Sequence, residues 1–206
     1  KPGTRFRDVL WKSDRDKILR KFSNEGYPYI QVRPEFNIDR ENKFVDISYD
    51  IAPGLFCYFG EVSIAQHERT PGTVIRKQLA FKKGNIFKQN LIERSQLQVY
   101  QLGFFQSVSI KAMMNEPEKH AIPIQILVKE APRLTMKFGV GYGIEENIRI
   151  YTDILHLGLF GGARRVNLFV KHSKLEPYNV NLKFIQPAAL TPRTTLVLNS
   201  FVKRED

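Results

Sequence analysis

The stretch "LTMKFGVGYG", residues 134–143, alternates without a break. Leu134, Met136, Phe138, Val140 and Tyr142 are apolar, while Thr135, Lys137, Gly139, Gly141 and Gly143 are polar or nearly without side chain. A period of two is a strand. The same texture continues outward from it. "IRIYTDI" sets Ile148, Ile150, Thr152 and Ile154 against Arg149, Tyr151 and Asp153, and "RVNLFVK" sets Val166, Leu168 and Val170 against Arg165, Asn167 and Lys171, with Phe169 breaking the polar series. "YNVNLKF" sets Tyr178, Val180, Leu182 and Phe184 against Asn179, Asn181 and Lys183; a last strand, Thr194 to Lys203, is less clean in phase. One apolar and one charged face suit a tilted membrane strand with hydrocarbon outside and water inside. They equally suit a soluble sheet with one face buried, so periodicity leaves two environments open.

Composition narrows the class. A chain of 206 residues, 42% hydrophobic and 26% charged, is long enough for one large or two small folded domains. There is no run of 18 or so apolar residues for a membrane helix, and "KPGTRFRDVLWKSDRD" lacks a signal-peptide core, so an exported form is expected to have lost its signal already. The single cysteine, Cys57, forms no disulfide within the chain and is expected to be a small buried residue. A net charge of +11 favours polyanions, yet Lys and Arg are spread along the chain, as on a solvated surface. A soluble basic α+β module binding nucleic acid is therefore the alternative to any membrane reading.

Upstream of Ala131 a unit repeats. "SDRDKILRKFSNE", residues 13–25, reads as a helix capped by Ser13 and stopped by Gly26; "YIQVRPEFNID" and "FVDISYDI" follow as a strand pair joined at Arg40 to Asn42, closing at Ala52 to Gly54. In the second copy a helix from about Lys88, with Leu91, Ser95, Val99 and Leu102 on one stripe, stops at Gly103; "FFQSVSIKAMM" and "AIPIQILVKEAP" follow. Gly26 and Gly103 stand 77 positions apart, and Ile47 and Ile126 stand 79 apart. That is an internal repeat. The second copy also has a leading strand, "YFGEVSIAQH", and a first helix around Thr73 to Leu79, giving β-α-α-β-β: a sheet covered on one face by two helices. With no room for a leading strand before Phe6, the chain is expected to begin inside the first unit.

The order "YFGEVSI…TVIRKQL…GNIFKQNLIERSQLQVYQLGFFQSVSI" resembles a POTRA domain of the BamA/TamA-like outer-membrane β-barrel assembly and translocation family. The matching residues are Gly60, Val62 and Ile64 and the stretch Ser95 to Ile110. Residues after the repeat, "GVGYGIEENIRIYTDILHLGLFGGARRVNLFVKHS", are similar to the first hairpin of the family's barrel, with Gly158 to Gly162 at its turn and Leu157-Gly158 where the family often has an asparagine. The resemblance implies a fold of α+β POTRA domains followed by antiparallel β-strands of a transmembrane β-barrel. It implies a partial POTRA domain over 1–55, a complete one over 56–132 and the first barrel strands over 133–206. It further implies that Leu134, Met136, Phe138, Gly139, Val140, Gly141, Tyr142 and Gly143 form the strand at the barrel seam, even positions toward lipid and odd ones toward the lumen. A strand poor in inward side chains is weakly specified in register. Seating other lumen contents is the alternative role for its glycines.

In the resemblance the second strand of each POTRA unit is an open edge that pairs with extended peptides: Gln106, Ser107, Val108, Ser109, Ile110 and Lys111 in the complete copy, Tyr29 to Arg33 in the partial one; the alternative is an edge that only contacts a neighbouring unit. Backbone pairing of this kind tolerates many sequences. The implied partners are unfolded outer-membrane protein clients, periplasmic or outer-membrane accessory proteins and the lipid bilayer, with no nucleic acid. The implied location is the bacterial outer membrane for the barrel and the periplasm for the POTRA domains.

Covalent chemistry has no footing in the sequence. "GVGYG" is followed by a strand and not by a helix N-terminus, so it builds no phosphate cradle. His67, His120, His156 and His172 show no metal-ligand spacing among themselves or with Cys57, and no nucleophile elbow is present. Glu145 and Glu146 fall in a turn, where acids are ordinarily solvated. The expectation is a protein that is not an enzyme and carries no cofactor or metal.

Overall fold

In the computed structural model, which describes residues 6–65, 69–114, 119–159, 164–187, 189–191 and 194–205, the first helix starts earlier than its sequence cap suggested. Helix α1 spans Asp8–Asn24 with Arg7 at its N-cap, so Ser13 lies inside it and caps nothing. Two contacts carry the extra turn. Lys12 pairs with Asp8 at 3.9 Å, and the Tyr49 hydroxyl donates to the Trp11 carbonyl at 3.1 Å. The far end is as expected: Tyr27 N–H donates to the Phe22 carbonyl, six residues closing on one, and Gly26 takes φ +104, which a side chain would resist.

Two units divide the chain, residues 1–65 with 79–97 and 109–127, and residues 66–78 with 98–108 and 128–206. In the first, β1 (Gln31–Asp39) and β2 (Phe44–Ala52) form an antiparallel pair, register Gln31 to Ala52 through Asp39 to Phe44. Their turn is held by Asp39, whose carboxylate accepts the Asn42 N–H and amide at 2.9 Å each. Strand β3 (Tyr58–Ala65) runs parallel to β5 (Ala121–Glu130) with a bulge between Phe59 and Val62. Phe59 stacks on Phe81 at 4.1 Å and tilts against Phe87 at 5.1 Å, and Cys57, Ile122, Ile124 and Ile126 are fully buried. Fully removing such side chains from water contributes about 1.5–3 kcal/mol each.

Helices α2 (Gly72–Arg76) and α3 (Gln89–Gln101) and strand β4 (Phe105–Ala112) complete the β-α-α-β-β order, and the three strands pair in the order β3-β5-β4. Ser95 fits the apolar stripe of α3 because its hydroxyl is satisfied within the core: it donates to the Leu91 carbonyl at 2.6 Å and accepts the Ala80 N–H at 2.8 Å.

In the second unit five strands run up and down: β6 (Leu134–Gly143), β7 (Asn147–Leu157), β8 (Arg165–His172), β9 (Tyr178–Gln186) and β10 (Leu196–Arg204), paired in that sequence. The register puts Met136 beside Ile154, Ile154 beside Leu168, Leu168 beside Leu182 and Leu182 beside Ser200, so the apolar positions of successive strands share one face. That face is uncovered. Phe138, Val140 and Tyr142 are 72%, 77% and 75% exposed, which a soluble sheet would not leave to water and a lipid-facing one requires. Strand β10 is uneven because Val197 and Phe201 turn to the other face, opposite Ile185 and Asn181. Among the described residues no helix is long and apolar enough to cross a membrane. The proposed hairpin turn is described at Gly158 and Leu159, while Phe160, Gly161 and Gly162 lie outside the described residues.

Candidate functional site: two sheet edges

Residues Gln106 to Lys111 lie on β4, the outer strand of the three-stranded sheet, with β5 on one side. Met113 N–H donates to the Pro123 carbonyl at 2.8 Å, so odd-numbered backbone groups of β4 turn toward β5 and even-numbered ones turn outward. Val108 and Ile110 send their side chains into the core, Gln106, Ser107 and Lys111 are exposed and Ser109 is half-buried. One outward donor is occupied: Ile110 N–H donates to Gln96 Oε1, from α3, at 3.2 Å. In the first copy Gln31, Val32 and Arg33 open β1, while Tyr29 and Ile30 precede the strand. The Tyr29 hydroxyl there accepts the Lys119 N–H at 3.3 Å.

Leu134 to Gly143 form β6, the outer strand of the five-stranded sheet, with β7 on one side. Its glycines are seats as well as weak points. A Cβ on Gly139 would lie 2.2 Å from the Tyr151 ring, and one on Gly141 would lie 2.6 Å from Arg149 Nε; Gly143 has open space, its nearest atom being Glu146 Cβ at 3.9 Å. Tyr151 stands opposite Gly139 and Arg149 opposite Gly141, so two side chains of β7 lie across the bare backbone of β6. Replacing Gly139 by alanine is expected to displace the Tyr151 ring at a cost of about 1 kcal/mol, since the ring can swing. Tyrosine fluorescence and the urea midpoint of the chain in detergent micelles would register both effects. An unchanged midpoint with an unmoved ring would show that the seat is slack.

At the ends of the strands an ion-pair chain crosses the sheet. Glu146 meets Arg149 at 3.6 Å and Lys171 at 3.2 Å; Glu176 meets Lys171 at 3.2 Å and Lys203 at 3.0 Å. The expectation of a solvated Glu146 is corrected by this: the Lys174 N–H on its carbonyl, at 3.1 Å, draws the β8–β9 turn over it. Strands β7, β8 and β10 and the β6–β7 and β8–β9 turns are thereby tied at one end.

Glu130, at the end of β5, carries no signal in the sequence, where it only precedes an Ala-Pro stop. Its carboxylate accepts the Thr70 N–H at 2.7 Å, the Arg69 N–H at 3.1 Å and Arg69 Nε at 2.8 Å, while Arg69 Nη2 donates to the Ala131 carbonyl at 3.2 Å. Burial pushes this carboxyl up, but the Thr70 bond and the two Arg69 bonds outweigh it and bring it from the ordinary 4.5 down to about 2. Beside it the connector Ala131 to Arg133 is fixed at both ends. Ala131 N–H donates to the Phe104 carbonyl and Leu157 N–H donates to the Arg133 carbonyl, each at 2.7 Å.

No group of three or more His, Cys, Asp or Glu side chains suited to a metal ion occurs among the described residues. Cys57 is fully buried, as its size suggested.

Residues 57–131 match the family model described as POTRA, surface antigen variable number repeat. Among curated proteins, the chain is 23% identical over 158 residues to the outer membrane protein assembly factor BamA of Neorickettsia risticii, covering 77% of this chain and 21% of that protein. It is 22% identical over 187 residues to BamA of Neisseria meningitidis, covering 91% and 23%. The chain thus spans about a fifth to a quarter of these relatives. Among solved structures, BamA from Haemophilus ducreyi lacking POTRA domains 1–3 superposes with a TM-score of 0.76 at 20% identity, over all of this chain and 38% of that one. CdiB from Acinetobacter baumannii superposes at 0.55 with 11% identity, over 98% and 42%. At these identities the superpositions give the fold: POTRA units followed by strands of a membrane barrel. Nothing in these likenesses supports the nucleic-acid alternative.

Proposed function

We propose that the chain is a member of the BamA/TamA-like outer-membrane β-barrel assembly and translocation family, and that it assembles or translocates outer-membrane proteins by offering backbone edges, with no covalent chemistry of its own. The barrel strands lie in the outer membrane and the POTRA units in the periplasm. In this reading residues 1–55 are part of one POTRA unit, 56–132 a second, and 133–206 the opening strands of the barrel. Strand β4 holds an unfolded client in extended form, accessory proteins dock on the POTRA units, and β6 templates the incoming strand at the seam.

The observation that carries this is placement: among the described strands, β4 and β6 are each outermost in their sheet. An unpaired edge presents alternate N–H and C=O groups that an extended peptide satisfies at no cost in sequence. Photo-crosslinkers at Gln106 on β4, at Val140 on β6 and at Leu168 on the interior strand β8, in the chain held in detergent micelles, test it with an alternating Val/Thr/Tyr peptide. The expected result is adducts from Gln106 and Val140 and none above background from Leu168. Equal labelling at all three positions, or adducts at Leu168 alone, would overturn the reading.

A further inference from the structure

We infer that Gln96 is a side-chain latch on the β4 edge, setting how long an extended segment must be before it can pair there. This deepens the edge-pairing reading above and rests on it.

The backbone parity of β4 turns the N–H groups of Gln106, Val108, Ile110 and Ala112 outward. A strand adding to the edge needs those groups in succession, about 7 Å apart. Gln96, on the exposed side of α3, places its Oε1 3.2 Å from the Ile110 N–H and so fills the third of the four. The resting edge therefore offers Gln106 and Val108 as its one uninterrupted run, with Ala112 isolated beyond the latch. Two positions make a short ladder, and a two-strand contact of that length is marginal in water.

Geometry also makes the latch reversible. Gln96 is exposed and its side chain has three rotatable bonds, so a competing carbonyl from a longer segment can displace it without moving α3. A segment that stops at Val108 never reaches the latch. One that extends past Ile110 displaces the amide and gains two further positions, Ile110 and Ala112. Glutamine suits this duty because a neutral side-chain acceptor holds an N–H weakly, whereas a carboxylate in the same place would hold it about twice as strongly.

The test uses the whole chain in detergent micelles and two fluorescent Val/Thr/Tyr peptides. One has four residues and the other ten, and each is also made with backbone N-methyl groups on alternate residues. Gln96→Ala is expected to bind the ten-residue peptide about five-fold tighter than the parent and the four-residue peptide unchanged. Gln96→Glu is expected to bind the long peptide more weakly than the parent at pH 7. If the two variants and the parent bind the long peptide equally, while N-methylation abolishes binding in all, edge pairing stands and the latch is wrong. If N-methylation makes no difference, or no peptide crosslinks to β4, the edge-pairing reading itself fails and takes the latch with it. An equal gain for short and long peptides in Gln96→Ala would also overturn the length threshold, because length would then confer no advantage once the latch is gone.

Discussion

Replacing Gly60 by alanine is expected to cost the POTRA unit about 3 kcal/mol, the upper end of what overpacking a tight site costs. Gly60 sits in the bulge of β3, and a Cβ there would lie 2.9 Å from both the carbonyl carbon and the oxygen of Ile122 and 3.1 Å from Pro123 N. All three are backbone atoms of the partner strand. No rotamer relieves the clash, in contrast to Gly139, where a ring can swing aside. The parallel strands must part at the bulge, next to the fully buried Ile122 and Ile124. Since a domain this size is stable by only about 5–15 kcal/mol, that is a large share of the total. Hydrogen exchange at Val62, Ile64, Ile124 and Ile126 would show the loss locally, with Ser63→Ala as a neighbour expected to cost under about 1 kcal/mol. A loss below about 1 kcal/mol for Gly60→Ala would show that the bulge has slack.

The second large effect concerns Glu130. Its carboxyl titrates at about 2 in the folded chain against an ordinary 4.5, so the folded state favours the ionised form. The contribution is fully present above pH 4.5 and is lost as pH falls through about 2. Taken at full value the shift corresponds to about 3 kcal/mol, and partial solvent access lowers this to about 2 kcal/mol. Glu130→Gln keeps an oxygen for the Thr70 N–H but gives up the charge facing Arg69, so at pH 7 it is expected to lose about 2 kcal/mol. Its unfolding free energy should also fall less steeply between pH 4.5 and 2 than the parent's, which urea titrations at three pH values would measure. Parallel pH curves for the two proteins would mean that Glu130 is solvated in solution.

Much of the fold could be read from period and punctuation. The alternation over 134–143 and in the strands after it survives as one shared apolar face because antiparallel register preserves parity, and Gly26 and Gly103 end their helices with positive φ, +104 and +75. Where local rules misled, a distant contact had decided. Ser13 looked like a cap, but the hydroxyl of Tyr49, 38 residues away, holds a carbonyl of an earlier turn. The site was legible only in outline. Gly139 and Gly141 stood out in the sequence as gaps, and their occupants Tyr151 and Arg149 follow only once the hairpin register is known. Gln96 carried no signal at all, since nothing in a helix's own pattern says which strand edge runs beside it.

The short connector between the last POTRA strand and the first barrel strand has a mechanical meaning. Three residues, Ala131 to Arg133, separate β5 from β6, and Pro132 fixes one of their few torsions while the carbonyls of Phe104 and Arg133 engage the backbone at either end. So few free torsions leave the end of β5 and the start of β6 little local freedom where the connector joins them. A twist carried along this connector into β6 would act on a strand whose Gly139, Gly141 and Gly143 bring no side chains of their own, so a change of pitch there would show first at the seats of Tyr151 and Arg149.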